Sequence, residues 1–534
     1  MKPTKITQPK HYIELPIFDG SIPSEISADY ILPDTYPDVK KLLRVNARPV
    51  LIGRYISGKR LEFSGAVDYT VIFSADTDGG ESLQCVHFAG EWNNAIGEVD
   101  SLDSSDISIV PRITSCSARL SNPRKLSIRS AVATDVKIMG MICCDPHIEG
   151  VSLSAEQQLE KLCQTVNSRQ IYTFVAEPFR LSEDIETDAS APVIDEIVSG
   201  TARIHISEAK PRFDGGSSAI MLKGTVFVDC LYKAMSDQQS YRSFSRKLPL
   251  TYTVNAEDCA SHFENCLPDS VCARVAAVPT EINVSVGEDS YGERRIIQLD
   301  LTAEMTVSAY CAREVPLTLD AYTLQNRSEC TFSDLDTSLL PKLVMSNFSV
   351  GESIKRDMSA FPEDINIVDV TADVQADTLT VDRGKAILNG KADISCILSD
   401  GSGSYTSTET TVPIRFETSI GELCEPCTFL ANMTAYDVRM RLDSDQVYFD
   451  FEVSLCLDIC EKRRHRAINT INISDEPLRR TDNGMLTVCY PTPSDTLWDI
   501  AKRYGISKAA LEAANQNSKR VLIIPQNNVH SFVV

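Results

Sequence analysis

Apolar and polar positions alternate along most of the chain, and three of the alternating runs begin with a glycine. Residues 65–73, 224–232 and 390–398 open with Gly65, Gly224 and Gly390 and then carry apolar side chains at about every second position. A period of two places alternate side chains on one face of a strand, so each run predicts a strand with one buried face. The glycines lie 159 and 166 residues apart, which indicates an internal repeat.

The sequence around each glycine predicts more strands. A β-branched run and a short polar interruption precede each glycine, at residues 49–52, 201–206 and 368–374, which is typical of a β-hairpin. Further alternating runs close the segments at residues 124–132, 295–303 and 446–455. The pattern therefore predicts a mainly β chain with three repeated antiparallel β-sandwich-like domains, at residues 1–150, 151–325 and 326–474.

Helices are expected in only a few places of this β-rich part. The proline-led segments 32–43 and 191–198 predict short helical entries to the first two domains. Residues 155–165 carry Ala155, Leu159 and Leu162 at spacings that share one helical face, so we expect a helix there.

The last 50 residues have a different pattern. After a linker at residues 475–484, the segment 485–534 predicts a strand, two helices and a strand. Ser494 or Asp495 can cap the first helix, and its apolar face carries Leu497, Trp498, Ala501 and Tyr504. Gly505 is placed to end that helix. For the second helix, Ser507 is the expected cap, with Leu511 and Ala514 facing inward, and Val521–Ile524 is expected to pair with the first strand.

This C-terminal βααβ segment resembles a LysM domain. The matching residues are Ser494 to Leu497, Ile500-Ala501, Tyr504 to Ser507, Leu511, Asn515 and Leu522 to Pro525. The resemblance implies a groove for N-acetylglucosamine glycans between the loop before the first helix and the loop after the second. The residues expected to line this partner- or glycan-binding groove are Ser494, Asp495, Thr496, Leu497, Trp498, Tyr504, Asn515 and Asn517.

Two departures from the LysM pattern fall on the loops that would form the groove. Ser494 stands where the family has glycine, and residues 517–520 replace a longer Pro-Gly-Gln segment. Either the groove still takes glycan, or an exposed groove near Trp498 takes a protein partner instead. For Trp498 itself, packing inside the module is the other interpretation.

Charge and hydropathy narrow the classes of partner. The formal net charge of −22 argues against a nucleic-acid partner, which needs a concentrated basic surface. No run of 18 apolar residues predicts a transmembrane segment, and the first ten residues lack the apolar core of a signal peptide. We therefore expect a cytoplasmic protein, in which many of the 17 cysteines, such as Cys230 and Cys311, are core residues that stay unpaired.

The sequence offers little catalytic or metal-binding chemistry. Cys424 and Cys427 have the two-residue spacing of half a zinc site, but Cys456 and Cys460 are poorly spaced for the other half. The seven histidines are scattered singly, and no phosphate-binding glycine loop occurs. We expect no enzyme activity, no catalytic residue, no metal and no cofactor.

Repeated β domains followed by a terminal LysM-like module resemble the SipL-type spore-coat morphogenetic proteins, whose repeated domain is called SPOCS. The resemblance rests on Pro33 to Val39, on the weaker echo at residues 191–197, and on Gly65, Gly224 and Gly390. It implies a non-catalytic scaffold in the mother-cell cytoplasm, at the forespore surface. Its implied partners are the spore-coat morphogenetic ATPase, through the LysM-like module, and coat proteins, through the β domains.

Two alternative functions stay open from the sequence, and the oligomeric state is open as well. The chain could bind peptidoglycan glycan as a cell-wall or cortex protein, which requires an export route. It could be a LysM-containing wall hydrolase, although three copies of one β domain do not suit that class. Exposed edge strands also allow self-association.

Overall fold

The computed structural model describes residues 10–78, 80–100, 102, 106–150, 159–214, 217–235, 240–263, 271–423, 426–477, 487–515 and 521–525. The strands are β1 (Tyr12–Ile31), β2 (Lys41–Ser57), β3 (Arg60–Thr77), β4 (Gly80–Ile96), β5 (Asp106–Asn122), β6 (Lys125–Cys143), β7 (His147–Gly150), β8 (Leu159–Val175), β9 (Phe179–Glu186), β10 (Ile194–Asp214), β11 (Ser217–Ala234), β12 (Ser240–Asn255), β13 (Val271–Gly287), β14 (Ile296–Thr323), β15 (Asn326–Ser338), β16 (Lys342–Lys355), β17 (Ile365–Asp382), β18 (Lys385–Asp400), β19 (Tyr405–Ser419), β20 (Cys427–Leu442), β21 (Gln446–Pro477), β22 (Thr487–Cys489) and β23 (Leu522–Ile524). The helices are α1 (Glu257–His262), α2 (Leu497–Tyr504) and α3 (Lys508–Ala514).

The strands form antiparallel sheets that face each other in pairs across three hydrophobic cores. In the first pair, the sheet β1-β6-β5 lies against β2-β3-β4, and one core draws side chains from both. The second pair sets β13-β14 with β9 against β10-β11-β12, and the third sets β16-β21-β20 against β17-β18-β19. The mainly β prediction is confirmed, while the three-domain repeat and its boundaries stay predictions. None of the helices in the described part of the chain is long and apolar enough to cross a membrane.

The three glycines of the sequence pattern occupy matching places in the three sheets β2-β3-β4, β10-β11-β12 and β17-β18-β19. Each lies in the middle strand, opposite a β-bulge in the preceding strand. A Cβ atom at Gly65, Gly224 or Gly390 would collide with a backbone carbonyl oxygen of that neighbour. A bulge brings the two backbones close together, so only glycine fits there.

A second bulge lies nine residues before the first in each of these sheets, at Leu43, Val198 and Val368. A bulge turns its extra side chain away from the regular alternation. Here the three bulged residues pack together with Ile72, Leu231 and Ile397 of the middle strands, and with Leu83, Tyr241 and Tyr405 of the third strands. We call this cluster the central junction. It joins the three sheets in a closed ring, since β4 contacts β10, β12 contacts β17 and β19 contacts β2.

A buried ion pair lies beside the central junction. Arg44 and Asp369, which directly follow the bulged Leu43 and Val368, are 4 % and 7 % exposed and pair through Nη1 and Oδ2. Arg44 also donates from Nη2 to the Ser395 carbonyl oxygen (2.9 Å), and Asp369 Oδ1 accepts from the Ser243 hydroxyl (2.8 Å). The pair thus links the first sheet to the third and, through Ser243, to the second.

The opposite ends of the sheets also meet. The first half of β14 pairs with β9, and its second half continues along β8. In the same way, β21 pairs first with β16 and β20 and then with β15, while the short β7 runs parallel to its end. A second buried cluster forms there, with Ile13, Leu15, Val166, Val315 and Leu317 at its centre.

The helices predicted in the β-rich part are wrong. The described part of 155–165, from Leu159 onward, is strand and pairs with the end of β14. Residues 32–40 are turns and irregular backbone. The second predicted short helix, at residues 191–198, is also absent from the structure, because β10 begins at Ile194. For residues 159–165 and for the start of β10, a neighbouring strand supplies the backbone hydrogen bonds, which outweighs the weak local preference for helix. Helix α1 was not predicted.

We expect Gly224→Ala to lower the free energy of unfolding by about 1–3 kcal/mol, because the new Cβ has to displace the carbonyl of His205 in the bulge. Urea unfolding of the full chain measures the change. Gly53→Ala is the matched control, since nothing lies within 4 Å of a Cβ at that position. Equal stability of the two variants would show that the bulge does not require glycine.

We expect Arg44→Met to cost about 3–5 kcal/mol, because it leaves the Asp369 carboxylate buried without its cation. The double variant Arg44→Met/Asp369→Leu should recover most of that loss, since an apolar pair of similar volume needs no charge compensation. The same unfolding measurement on both single variants and the double variant completes the cycle. Additive costs would mean that the two residues are not coupled.

Candidate functional site

The C-terminal segment forms a small βααβ module. Strands β22 and β23 pair antiparallel, with Val488 opposite Ile523, and helices α2 and α3 connect them. Its core consists of the side chains that the strand and helix periodicities turn inward: Cys489, Trp498, Ile500, Ala501, Ile506, Leu511, Leu522 and Ile524. The predicted order of elements and the pairing of the two strands are confirmed. Leu511 faces inward as expected, whereas Ala514 is exposed.

Helix α2 begins with a capping box at Thr496. The Thr496 hydroxyl accepts a hydrogen bond from the Asp499 N–H (3.2 Å), and Asp499 Oδ2 accepts from the Thr496 N–H (3.0 Å). The expected caps Ser494 and Asp495 are wrong, because both residues belong to the turn before the helix. Asp495 closes that turn by accepting from the Thr492 N–H (2.9 Å) and pairs with Arg503 (2.7 Å). The Thr492 N–H and the Arg503 guanidinium together lower the pKa of Asp495.

The other end of α2 and the start of α3 follow the sequence prediction. Gly505 adopts the left-handed conformation, with φ 63°, and its N–H bonds to the carbonyls of Ala501 and Lys502. The Ser507 hydroxyl accepts from the Ala510 N–H (3.1 Å) and caps α3. These two residues fix the angle between the helices.

Asn515, a predicted groove residue, bridges α3 and β23. Its Nδ2 donates to the carbonyls of Leu511 (2.8 Å) and Ile523 (2.7 Å), and its Oδ1 accepts from the Ile523 N–H (2.6 Å). The side-chain amide therefore takes the place of a neighbouring strand beside β23. Its hydrogen bonds thus connect α3 to β23 and stabilise the module. Asn517 lies outside the described residues.

The remaining predicted groove residues separate into two groups. Ser494, Thr496 and Leu497 are exposed, and Asp495 is half-buried. They lie in the loop before α2 and at the first residue of that helix, which together we call the entry loop (residues 492–497). Trp498 is only 6 % exposed, and Tyr504 is half-buried on the same helix. The structure thus brings the first four together and leaves Trp498 away from solvent.

Trp498 is covered by the β-rich part of the same chain. Its indole N–H donates to Asp320 Oδ2 (2.7 Å), and its ring meets Tyr322 edge to face, with 4.9 Å between the ring centroids. Leu162 and Leu324 pack on the same cluster. Asp320, Tyr322 and Leu162 lie on β14 and β8, more than 160 residues before the module, and no sequence motif marks them. This contact could therefore not be predicted from the sequence.

The cysteines bear on the metal prediction. Cys424 lies outside the described residues, and Cys427 is half-buried at the start of β20, opposite Glu461. Within the described ranges, no three His, Cys, Asp or Glu side chains gather closely enough to hold a metal ion. Cys456 and Cys460 are buried, and Arg169 donates to the Cys460 sulfur (3.0 Å).

The expectation that the cysteines are unpaired is wrong at Cys311, which is buried and disulfide-bonded. An alternating buried cysteine has the same sequence pattern whether it is a free thiol or half of a disulfide. The pattern along one strand therefore could not distinguish the two states.

We expect Thr496→Ala to destabilise α2 by about 1 kcal/mol, because the capping box loses both of its hydroxyl contacts. Ser494→Ala is the control and should change the stability of α2 by less than about 0.5 kcal/mol, as for an ordinary surface position. Amide hydrogen exchange of residues 497–504 in the full chain measures both. A larger effect of Ser494→Ala would restore Ser494 as the cap.

Comparison with known proteins gives a match for the C-terminal module. Residues 492–525 match the family model of the LysM domain. No curated protein and no solved structure matches the chain. The C-terminal module is thus a LysM domain, of a family whose presence suggests carbohydrate or peptidoglycan binding.

Proposed function

We propose that this chain is a non-catalytic binding scaffold, in which a β-rich body presents a LysM domain with its entry loop toward solvent. The observation that carries the proposal is the division of the module into two faces. The α2 face with Trp498 is packed on β14, while Ser494, Thr496 and Leu497 remain exposed on the entry loop. Because the module is attached to the body through its α2 face, the entry loop stays accessible to a partner.

The setting we favour is spore-coat assembly. The resemblance of the repeated β segments and terminal LysM domain to SipL-type proteins supports it. In this setting the entry loop would dock on the coat morphogenetic ATPase at the forespore surface, and the β body would contact coat proteins.

A second candidate function is binding of N-acetylglucosamine glycan as a wall or cortex protein. The match of residues 492–525 to the LysM family favours it, together with the exposure of the entry loop. Within that loop, the Asp495 carboxylate already bonds to Thr492 and Arg503, so the turn is ordered before any ligand binds. An ordered loop loses less entropy on binding.

A binding experiment with the full chain separates these two functions. Its two probes are purified coat morphogenetic ATPase and a hexamer of N-acetylglucosamine, each measured at low and high salt. Ser494→Glu adds bulk and charge to the exposed loop without touching the Thr496 cap. Ser353→Glu makes the same change at an exposed site on β16, outside the module.

We expect the unmodified chain and Ser353→Glu to bind the same probe with equal affinity, and Ser494→Glu to lose at least about tenfold, which corresponds to about 1.4 kcal/mol. Binding of the ATPase alone supports the coat scaffold. Binding of the hexamer alone supports the glycan-binding protein. If neither probe binds, or if Ser494→Glu binds as well as the control, the entry loop is not the binding surface and the proposal fails.

A further inference from the structure

The place where the LysM domain meets the body is built by a β-bulge. The pairing of β14 with β8 shifts register at Leu319, so the regular alternation of side chains is interrupted there. Beyond the bulge, Asp320 and Tyr322 share one face of β14, and Leu162 lies directly opposite Asp320 on β8. We call these three residues the docking face. Ala321, between them, points to the other side and packs with Ile468 and Ile471.

Asp320 receives donors from two side chains of α2. Its Oδ2 accepts from the Trp498 indole N–H (2.7 Å), and the Lys502 ammonium lies 2.6 Å from Oδ1 and 2.8 Å from Oδ2. Trp498 and Lys502 are four residues apart, so they project from the same side of the helix. A carboxylate with both a cation and a second donor makes short, charge-assisted bonds that are stronger than those between neutral groups.

Tyr322 holds the module at a second point. Its hydroxyl donates to the carbonyl of Ile506 (2.7 Å), in the connection between α2 and α3. Burial raises the pKa of Tyr322, so the hydroxyl keeps its proton at any physiological pH. Two anchor points, one on the helix and one on its C-terminal connection, fix the rotation of the module as well as its position.

Separating the LysM domain from the docking face in water costs free energy. The Trp498 ring and the Tyr322 ring bury apolar area against each other and against Leu162 and Leu324. Lys502 and Asp320 are 41 % and 20 % exposed, so salt weakens this ion pair only partly. The contact therefore combines an apolar centre with a polar pair at its rim, as protein–protein interfaces do.

We propose that Asp320 is a positioning residue that latches the LysM domain onto the body, holding the entry loop outward and keeping the α2 face closed. When the latch opens, Trp498 and Lys502 become a second surface of the module. A partner that uses the α2 face has to compete with the docking face, whereas a ligand of the entry loop does not. The statement about a ligand of the entry loop rests on the proposed function. The latch itself depends only on the contacts of Asp320 and Tyr322.

Tryptophan fluorescence of the full chain tests the latch. The chain has two tryptophans, so a Trp92→Phe background leaves Trp498 as the only one. Into this background we would place Asp320→Asn, which removes the charge, and Lys502→Met, which removes the same ion pair from the module side. The control is Asp336→Asn, which removes a carboxylate on β15 from its ion pair with Arg464 on β21, a pair that includes no residue of the module or the docking face.

We expect Asp320→Asn and Lys502→Met to move the Trp498 emission to longer wavelength and to raise its acrylamide quenching constant several-fold, while Asp336→Asn matches the background protein. Amide exchange of β14 should stay slow in all variants, which shows that the body is intact. Emission and quenching equal to the control in both latch variants would overturn the proposal, as would loss of protection along β14 in Asp320→Asn.

The same variants keep the latch distinguishable from the proposed function. Binding of the N-acetylglucosamine hexamer or the coat ATPase at the entry loop is measured independently of the Trp498 signal. If neither probe binds but Asp320→Asn still exposes Trp498, the latch stands and the proposed function falls.

Discussion

The β body depends on the buried central junction, where the bulged residues Leu43, Val198 and Val368 of three different sheets pack against one another. Each sheet reaches this point by the same local device. One bulge turns a side chain toward the junction, and a second bulge nine residues later is accommodated by a glycine in the next strand. The ring of three sheets is completed where Arg44 of β2 pairs with Asp369 of β17, and both charges of this pair are buried. Such a pair favours one arrangement of the sheets over others that would leave either charge alone.

The position of the LysM domain is set by long strands of the sheets that face the junction sheets. β14 and β21 are 28 and 32 residues long and each serves two pairings in succession. A strand that belongs to a sandwich in its first half carries the register of that sandwich into its second half. The docking face at Asp320 and Tyr322 therefore lies at the end of a continuous strand, just beyond the bulge at Leu319 where its register shifts. The module is placed by the body and not only by the linker that precedes it.

Much of the fold could be predicted because its signals are local. The period of two after Gly65, Gly224 and Gly390 is a direct result of one buried face, and the glycines themselves result from the bulges. The LysM domain was predictable for the same reason, since Gly505 and Ser507 act on their immediate neighbours. The helix predicted at residues 155–165 failed because the partner of that segment, the end of β14, lies about 150 residues later in the chain. Local spacing contains no information about such a partner.

The same limit explains why Trp498 could not be assigned from sequence. A tryptophan on an amphipathic helix suits a module core, an exposed groove and an interdomain contact equally well, because its apolar ring and its indole N–H can find partners in all three. The acceptor decides among them, and here it is Asp320, brought into place by a bulge more than 170 residues away.

This acceptor also separates two kinds of ligand in physical terms. A ligand of the entry loop meets a surface that is already exposed and ordered, so its affinity is not reduced by a conformational step. A partner of the α2 face binds a state in which Asp320 has lost both donors, and its observed affinity is reduced by the fraction of molecules in that open state. The two surfaces of one small domain therefore differ in accessibility because the docking face of the body covers one of them.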